Sequence, residues 1–272
     1  MEESLRGGPF HFQSQPNKNM KHRNLLPVDT RNAVLPGHYD QLLAWIERLP
    51  SIFNIASVPA PKATLLCGIA GVGKGTAAKV LARTLNRPLF LLDGSIPLTD
   101  LDSLADCKEP FVLWVDHPTE QHVGLIRWMQ DAEPGKAFVV FSTDEPHQLP
   151  AVFTRADVVS SIWHMDIPTL KQRSALFGEL LSSRIAGHHT HDSVKLGQLS
   201  GAFTPAEIHS AYDKASRESG GVPKPGALID AVLALKPLAL RMDAALSCPR
   251  AWAHEYARAA SSCGRSCRLQ KS

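Results

Sequence analysis

The sequence predicts an α/β protein in which a parallel sheet is sandwiched by helices and is followed by a small all-helical lid domain. Short apolar runs alternate with helical patterns up to about residue 168, which is typical of parallel strands covered on both faces. Beyond residue 168 only helical patterns follow. The composition, with 44% apolar and 20% charged residues in a chain of 272, is that of a globular protein.

Charge and cysteine content make several classes of protein unlikely. The net charge of +3 offers no bulk attraction to nucleic acid or to an anionic membrane, so nucleic acid is an unlikely partner. No apolar run approaches the roughly 18 residues that a membrane span needs, so no membrane association is expected. The five cysteines are odd in number and unpatterned, and the chain start lacks the order of a secretory signal. These features predict a reducing, cytoplasmic location.

The patterns divide the chain into four parts. A flexible arm is predicted over residues 1–36, where Phe10 and Phe12 stand alone among polar residues, Gly and Pro. A sheet domain is predicted over 37–168 and a helical lid over 169–260. A basic C-terminal tail follows over 261–272.

The elements follow in order along the chain. A helix is predicted from Tyr39 to Leu49, and Pro50 is expected to end it. The predicted strands are Ala63–Cys67, Leu89–Leu92, Phe111–Val115 and Ala137–Phe141, and a helix over 74–86 follows the first of them. The predicted lid helices are 170–183, 205–216, 227–235 and much of 238–260, with Trp252 and Tyr256 packing against the lid.

The clearest functional motif is the glycine-rich segment between the first of these strands and its helix. It reads Gly68-Ile-Ala-Gly71-Val72-Gly73-Lys74-Gly75-Thr76. Glycines let successive backbone N–H groups turn toward phosphate oxygens, and the following helix directs its positive end at the same anion. Lys74 can reach the terminal phosphates of a nucleotide, so all seven residues named by number are predicted to bind it.

The residue after Lys74 departs from the usual motif, which has Ser or Thr there as a magnesium ligand. Gly75 has no side chain, and Thr76 comes one place later, so we expect Mg²⁺ to be held mainly through water and the nucleotide. Thr76 and Asp116 are the predicted metal-facing residues. Asp116 directly follows a buried strand, as a carboxylate for the metal's water shell should, although it could instead cap the helix expected near Thr119.

Position 117 decides the expected rate of hydrolysis. Many ATPases place Glu directly after this Asp to polarise the attacking water, but this chain has His117. A neutral imidazole can accept a proton from water, yet it lacks a fixed negative charge. We therefore expect slow hydrolysis, unless Glu120, which lies one turn away, reaches the water instead.

These motifs resemble those of the AAA+ ATPases, in particular small single-module members of the AAA group, over about residues 38 to 260. Residues 68–76 resemble the Walker A motif and 111–116 the Walker B motif. Residues 137–144 are similar to the fourth strand with sensor 1, and 201–208 to a stretch of the helical lid. The resemblance implies that 37–168 is a P-loop nucleotide-binding domain that binds ATP with Mg²⁺.

Three departures from the family pattern follow. Asp144 or Thr143 stands where sensor 1 is usually Asn, and Arg155 matches the first of two family arginines while the second falls on Val158. The resemblance implies that Arg155 acts as an arginine finger across the interface of a homo-oligomer, although it could pair with Asp157 in a monomer. Only 42 positions separate Lys74 from Asp116, which is short for a family that carries a pore loop there.

Three functions remain open at this point. The first is an ATPase that remodels or switches an unknown partner protein, with Lys74, Asp116, His117, Asp144 and Arg155 as its catalytic residues. The second is a nucleotide-gated binding or scaffold module with little hydrolysis. The third and least favoured is a nucleoside phosphate kinase, suggested by the order Gly-Lys-Gly-Thr. The histidine cluster at 188–191 lacks completing ligands for zinc and is expected to be a polar loop.

Overall fold

A seven-stranded sheet forms the centre of the protein. The computed structural model describes residues 25–55, 57, 59–92, 107, 109–184 and 191–262. The strands are β1 (Leu25–Val28), β2 (Ala63–Cys67), β3 (Leu89–Leu92), β4 (Phe111–Asp116), β5 (Ala137–Thr143), β6 (Ser161–His164) and β7 (Arg258–Ala259). Their order across the sheet is β1-β3-β4-β5-β2-β6-β7, and every neighbouring pair is parallel except β1 with β3.

Helices cover the sheet and form the lid. In chain order they are α1 (Asp40–Phe53), α2 (Lys74–Thr84), α3 (Val123–Asp131), α4 (Leu170–Arg184), α5 (Ser193–Leu199), α6 (Pro205–Glu218), α7 (Pro225–Ala234), α8 (Leu238–Arg241) and α9 (Asp243–Tyr256). Short 3₁₀ helices lie at Glu120–His122, Pro146–Gln148 and Ala151–Thr154. The predicted α/β fold, with a mostly parallel sheet between helices and a helical lid, is confirmed.

The two faces of the sheet carry separate cores. Along β5, Phe138 and Val140 point into the core beneath α1 and α2, whereas Val139 and Phe141 point into the core beneath α3. Side chains alternate between faces along a strand, and because both faces are covered, β5 is apolar on both faces from Ala137 to Phe141. Full burial of one such side chain stabilises the fold by about 1.5–3 kcal/mol. The lid helices α4 to α7 enclose a third core around Phe177 and Phe203.

The predicted flexible arm over 1–36 is wrong in its C-terminal part. Residues 25–28 form β1, which pairs with β3 in antiparallel register, and Leu25 is buried. Leu35 is buried as well, in the core with α1. Only four residues pair, and Pro27 interrupts their apolar pattern, so the sequence carries almost no strand signal there. Residues 1–24 lie outside the described part of the chain.

The predicted lid over 169–260 is wrong at its C-terminal end, because the chain returns to the sheet. β7 extends the sheet beside β6, although no strand was expected after residue 168. Trp252 of α9 packs against the sheet core rather than the lid, with Tyr256 stacked beside it at 5.3 Å between ring centroids. Leu246 of the same helix joins the opposite core. This helix therefore bridges both faces at one edge of the sheet.

Pro50 does not end the first helix, contrary to prediction. α1 continues to Phe53, whose ring lies 5.7 Å from that of Phe138 in an edge-to-face arrangement. The guanidinium of Arg87 lies over the ring of Phe53, at 4.4 Å from the ring centroid. These contacts of the last turn offset the backbone hydrogen bond that proline cannot donate.

Several predicted features fall partly outside the described residues. These are the tail beyond 262, His188 and His189 of the histidine cluster, and part of the short stretch between Lys74 and Asp116, of which 93–106 and 108 are not described. His191 is described, and its Nε2 lies 3.0 Å from the carbonyl oxygen of Pro223. Among the described residues, the longest apolar helices still fall short of what a bilayer crossing requires.

Candidate functional site

The glycine-rich loop connects β2 to α2 at the carboxyl edge of the sheet. Gly68, Gly71 and Gly73 have φ values of 149°, 90° and 106°, which residues with a side chain rarely adopt. A Cβ at position 68 would overlap the carbonyl oxygen of Met165, and one at position 71 would lie 2.8 Å from Oγ1 of Thr204. The loop therefore needs glycine both for its conformation and for the close approach of neighbouring elements.

The N-terminus of α2 lacks local neutralisation. The N-cap residue is Gly73, so no side chain there can accept a hydrogen bond from the first N–H groups of α2. The first turn of α2 also carries no acidic residue. The free N–H groups and the positive end of the helix are thus left to attract an anion.

Lys74 adds a full positive charge to the same place. Its side chain is only 8% exposed, and Nζ donates to the carbonyl oxygens of Gly68 at 2.6 Å and Ile69 at 3.3 Å. Burial lowers the pKa of Lys74, while the nearby charges of Asp144 and Asp116 oppose that shift. Both hydrogen-bond partners are neutral, so a phosphate in the loop would compensate a buried ammonium group.

Tyr39, directly before α1, hydrogen-bonds to the loop, a role that its sequence pattern did not reveal. Its buried hydroxyl lies 3.0 Å from the carbonyl oxygen of Val72 and 3.1 Å from that of Asp166, to which it donates a bifurcated hydrogen bond. Burial raises the pKa of Tyr39, so the hydroxyl stays a donor. In the sequence Tyr39 reads only as an apolar position of a helix.

The lid contacts the loop through the start of α6. The N–H of Ala206 donates to the carbonyl oxygen of Gly71 at 3.1 Å. Thr204 and Glu207 form a reciprocal capping box at this helix end. Glu207 also accepts a hydrogen bond from the N–H of Leu238 at 2.7 Å. One carboxylate thereby joins the lid helix above the loop to α8, which leads back to the sheet.

Asp116 stands at the end of β4, across β5 from the loop strand. The hydroxyl of Ser142 on β5 donates to Oδ1 of Asp116. Trp114, two residues earlier on β4, donates its indole N–H to the same hydroxyl oxygen at 2.7 Å. The side chain of Asp116 is 43% exposed. The sequence suggested Asp116, but not the relay from Trp114.

His117 lies between two carboxylates. Its Nδ1 is 3.1 Å from Oδ1 of Asp144, and its Nε2 is 4.0 Å from Oδ1 of Asp116. The residue has φ = 51°, a left-handed conformation that is uncommon for a residue with a side chain. The N–H of His117 donates to the carbonyl oxygen of Ser142 at 2.7 Å, which holds it there. Three of the residues predicted as catalytic thus lie together at the carboxyl edge.

The residues here fit a nucleotide phosphate better than they fit a directly bound Mg²⁺. Thr76 is half-buried one position beyond Gly75, at which no side-chain oxygen is available. A Cβ at position 75 would lie 2.6 Å from Cη2 of Trp114, so the indole occupies that space. Among the described residues no group of three His, Cys, Asp or Glu side chains could hold a metal ion.

Arg155 is paired within the chain. It follows the third 3₁₀ helix, and its guanidinium donates to both oxygens of Asp157 at 3.0 and 2.6 Å. Both side chains are more than half exposed. The structure thus places Arg155 on the surface, in the pair that the sequence left open as the monomer alternative. Val158, where the family has its second arginine, is buried.

Sequence comparison finds related proteins at moderate identity. No protein-family profile matches the chain. The chain is 25% identical to the uncharacterized AAA domain-containing protein ycf46 of Pyropia yezoensis over 252 residues, which cover 80% of this chain and 51% of that protein. The ycf46 protein of Trieres chinensis is 26% identical, with 74% and 47% covered. The chain spans about half the length of these curated relatives.

Solved structures share the fold. The crystal structure of the FIGL-1 AAA domain in complex with ADP matches with a TM-score of 0.63 and 17% identity, covering 86% of this chain and 94% of that one. A structure described as the structural basis for katanin self-assembly matches with a TM-score of 0.60 and 17% identity, covering 78% and 87%.

Proposed function

We propose that this chain, which is similar to AAA domain-containing proteins, is a AAA+ ATPase that binds ATP in the loop 68–76, hydrolyses it slowly and uses that cycle to remodel or switch a partner protein. The observation that carries this proposal is Lys74, a buried ammonium group enclosed by a glycine loop at an uncapped helix N-terminus. Nucleotide binding is also supported by the likeness to a FIGL-1 domain that was solved with ADP.

Slow hydrolysis follows from the chemistry of position 117. With Nδ1–H donated to Asp144, a neutral His117 has Nε2 as its proton-accepting atom. Water held near Nε2 could lose a proton to it, but the ring supplies no negative charge to the attacking oxygen. Because Arg155 is paired with Asp157, it lends no positive charge to the terminal phosphate bound in its own chain. Such a charge would have to come from a neighbouring subunit.

Mg²⁺ would enter with the nucleotide and add its charge to the phosphates. Thr76 and Asp116 are the two side chains that we expect to face the ion. Because Gly75 offers no oxygen and Ser142 already occupies one oxygen of Asp116, we expect contact through water.

A binding module with little hydrolysis is the second candidate function. It is favoured by the same replacement of Glu by His117 and by the internal pair of Arg155. The two functions differ in turnover: measurable phosphate release separates an ATPase from a nucleotide-gated scaffold. Phosphate transfer to a nucleoside monophosphate would instead indicate the kinase, which only the order Gly75-Thr76 favours.

Assembly into a homo-oligomer is part of the proposal. The family resemblance implies an arginine finger that acts between subunits, and Arg155 is the matching residue. A structural neighbour is described by its self-assembly, which supports the same expectation here. The thiols of Cys67 and Cys107 are buried and outside any disulfide, which suits a reducing cytoplasm.

Titration with a fluorescent ATP analogue tests the site. Lys74→Ala removes a charge-assisted contact worth about 1.5–3 kcal/mol, which is roughly a tenfold to hundredfold loss of affinity. Lys79→Ala, on the same helix, is the matched control for net charge, and we expect its affinity to change by less than about threefold, that is by under ~0.7 kcal/mol. Equal affinities of wild type and Lys74→Ala would overturn the assignment of the site.

A further inference from the structure

We propose that Trp114 takes the place of the direct magnesium ligand of the loop, so that ATP binds almost equally well with and without Mg²⁺. This inference rests on the proposed ATP site and concerns how that site treats the metal. It arises from two neighbouring departures, a glycine at position 75 and a tryptophan on β4, that the structure brings into contact.

The indole covers the face of Gly75 from which a side chain would project. From a Cβ at this position, the atoms Cη2, Cζ2 and Cζ3 of Trp114 would lie at 2.6, 3.0 and 3.4 Å. Serine or threonine would place its hydroxyl beyond that Cβ, within the volume of the ring. Because an aromatic ring cannot bend away, any side chain at position 75 requires Trp114 to move.

Hydrogen bonds and packing fix the ring in this place. Its N–H donates to the hydroxyl of Ser142, which is fully buried and donates in turn to Asp116. Part of the ring packs against the core beneath α1 and α2. Turning the indole away would leave a buried hydroxyl without its donor and an apolar surface exposed, so the contact with Gly75 is a stable feature.

The same relay sets the orientation of Asp116. One carboxylate oxygen accepts from Ser142, and His117 Nε2 lies 4.0 Å from that oxygen. Trp114 is therefore a positioning residue for Asp116 as well as the group that fills the ligand position. With no hydroxyl at 75, the protein contributes no direct bond to the metal, and the phosphates are bound by Lys74 and backbone N–H groups alone.

The test measures binding of a fluorescent ATP analogue in excess Mg²⁺ and in EDTA. For the wild type we expect the two dissociation constants to agree within about threefold. In Gly75→Ser combined with Trp114→Phe, the smaller ring leaves room for the hydroxyl, and we expect Mg²⁺ to tighten binding by more than about tenfold, or ~1.4 kcal/mol. Trp114→Phe alone is the control. It opens the space but supplies no hydroxyl, so the effect of Mg²⁺ on its affinity for the ATP analogue should stay like that of the wild type.

The outcomes separate this inference from the function on which it rests. Wild-type binding that weakens more than tenfold in EDTA overturns the inference but leaves the ATP site intact, with Thr76 as the next candidate ligand. No binding in either buffer overturns the proposed function together with the inference. Since the wild type alone decides both, the test holds even if the double variant does not fold. A folded double variant whose affinity responds to Mg²⁺ no more than that of the wild type would also contradict the proposal that Trp114 fills the ligand position.

Discussion

The two sides of the candidate site consist of different kinds of chemical group. The loop side consists of backbone groups and one buried lysine, held by hydrogen bonds from Tyr39 and from Ala206 of the lid. The acidic side consists of individual side chains at the ends of β4 and β5, and it carries His117 and Trp114. The loop keeps the family pattern up to Lys74, whereas the acidic side departs from it.

The difference leads us to expect that nucleotide binding and ATP hydrolysis can be separated by substitution in this chain. Backbone N–H groups bind phosphate whatever the neighbouring side chains are, provided that the glycines preserve the loop. A water-activating group, in contrast, depends on the identity and position of one side chain. Substitutions on the acidic side can therefore reduce hydrolysis while the loop still binds, and the following predictions test each side.

The largest effect is expected from the titration of His38, on the free energy of unfolding. Burial lowers the pKa of His38 from 6.5 to about 4, and among the described residues its buried Nε2 has no hydrogen-bond partner. The unfolded chain therefore binds a proton near pH 6.5 that the folded chain takes up only near pH 4. Between these values the unfolded state holds more protons, so stability falls as the pH falls.

Urea unfolding at pH 7 and pH 5 measures this contribution. For His38 we expect a loss of about 1–2 kcal/mol in the free energy of unfolding at pH 5 relative to pH 7. His38→Gln keeps a polar side chain but does not titrate, so its pH dependence should be smaller than that of the wild type by this amount. The same pH dependence in both proteins would show that folding does not lower the pKa of His38.

A smaller effect is expected on the acidic side, from His117→Glu. A carboxylate at this position would polarise the attacking water, and we expect phosphate release to rise by about tenfold, equivalent to ~1.4 kcal/mol in the barrier. His117→Gln is the matched control, since it has the size of Glu but no basic group. A wild type that turns over faster than the Glu variant would identify the imidazole as a competent base and would weaken the contrast between the two sides.

Much of the fold could be predicted because buried parallel strands are uniformly apolar. For that reason the sequence predicted four strands, β2, β3, β4 and β5. Helical periodicity likewise predicted the helices α2, α4, α6 and α7. The missed strands lack that signal. β1 includes Pro27, β6 is only four residues long with a polar residue at each end, and β7 is two residues long.

The candidate site divides in the same way. Lys74 and Asp116 could be named because each lies at a fixed place next to a strand. Tyr39 and Trp114 could not, because their roles depend on contacts with Val72 and Gly75 that only the folded chain brings together. Arg155 was named from its place in a motif, and its pair with Asp157 was the alternative that the sequence left open; the motif alone could not decide between that pair and a subunit contact.

The smallest effect on stability is expected at Arg155, whose role depends on assembly. Its pair with Asp157 is exposed on both sides, and such pairs contribute about 0–1 kcal/mol. Arg155→Ala should therefore leave the urea midpoint nearly unchanged. If the guanidinium leaves Asp157 to contact the ATP of a neighbouring subunit, ATP should favour the oligomer, and assembly should tighten ATP binding by the same factor.

Light scattering with and without ATP decides between the surface pair and the subunit contact. We expect ATP to raise the mass of the wild type and of Arg127→Ala, which removes an exposed arginine from α3. Arg155→Ala should lose that increase, because the neighbour's phosphate then meets no positive charge from the interface. A wild type that remains monomeric with ATP at high concentration would assign Arg155 to its pair with Asp157 alone. The acidic side would then work without any contribution from a second subunit.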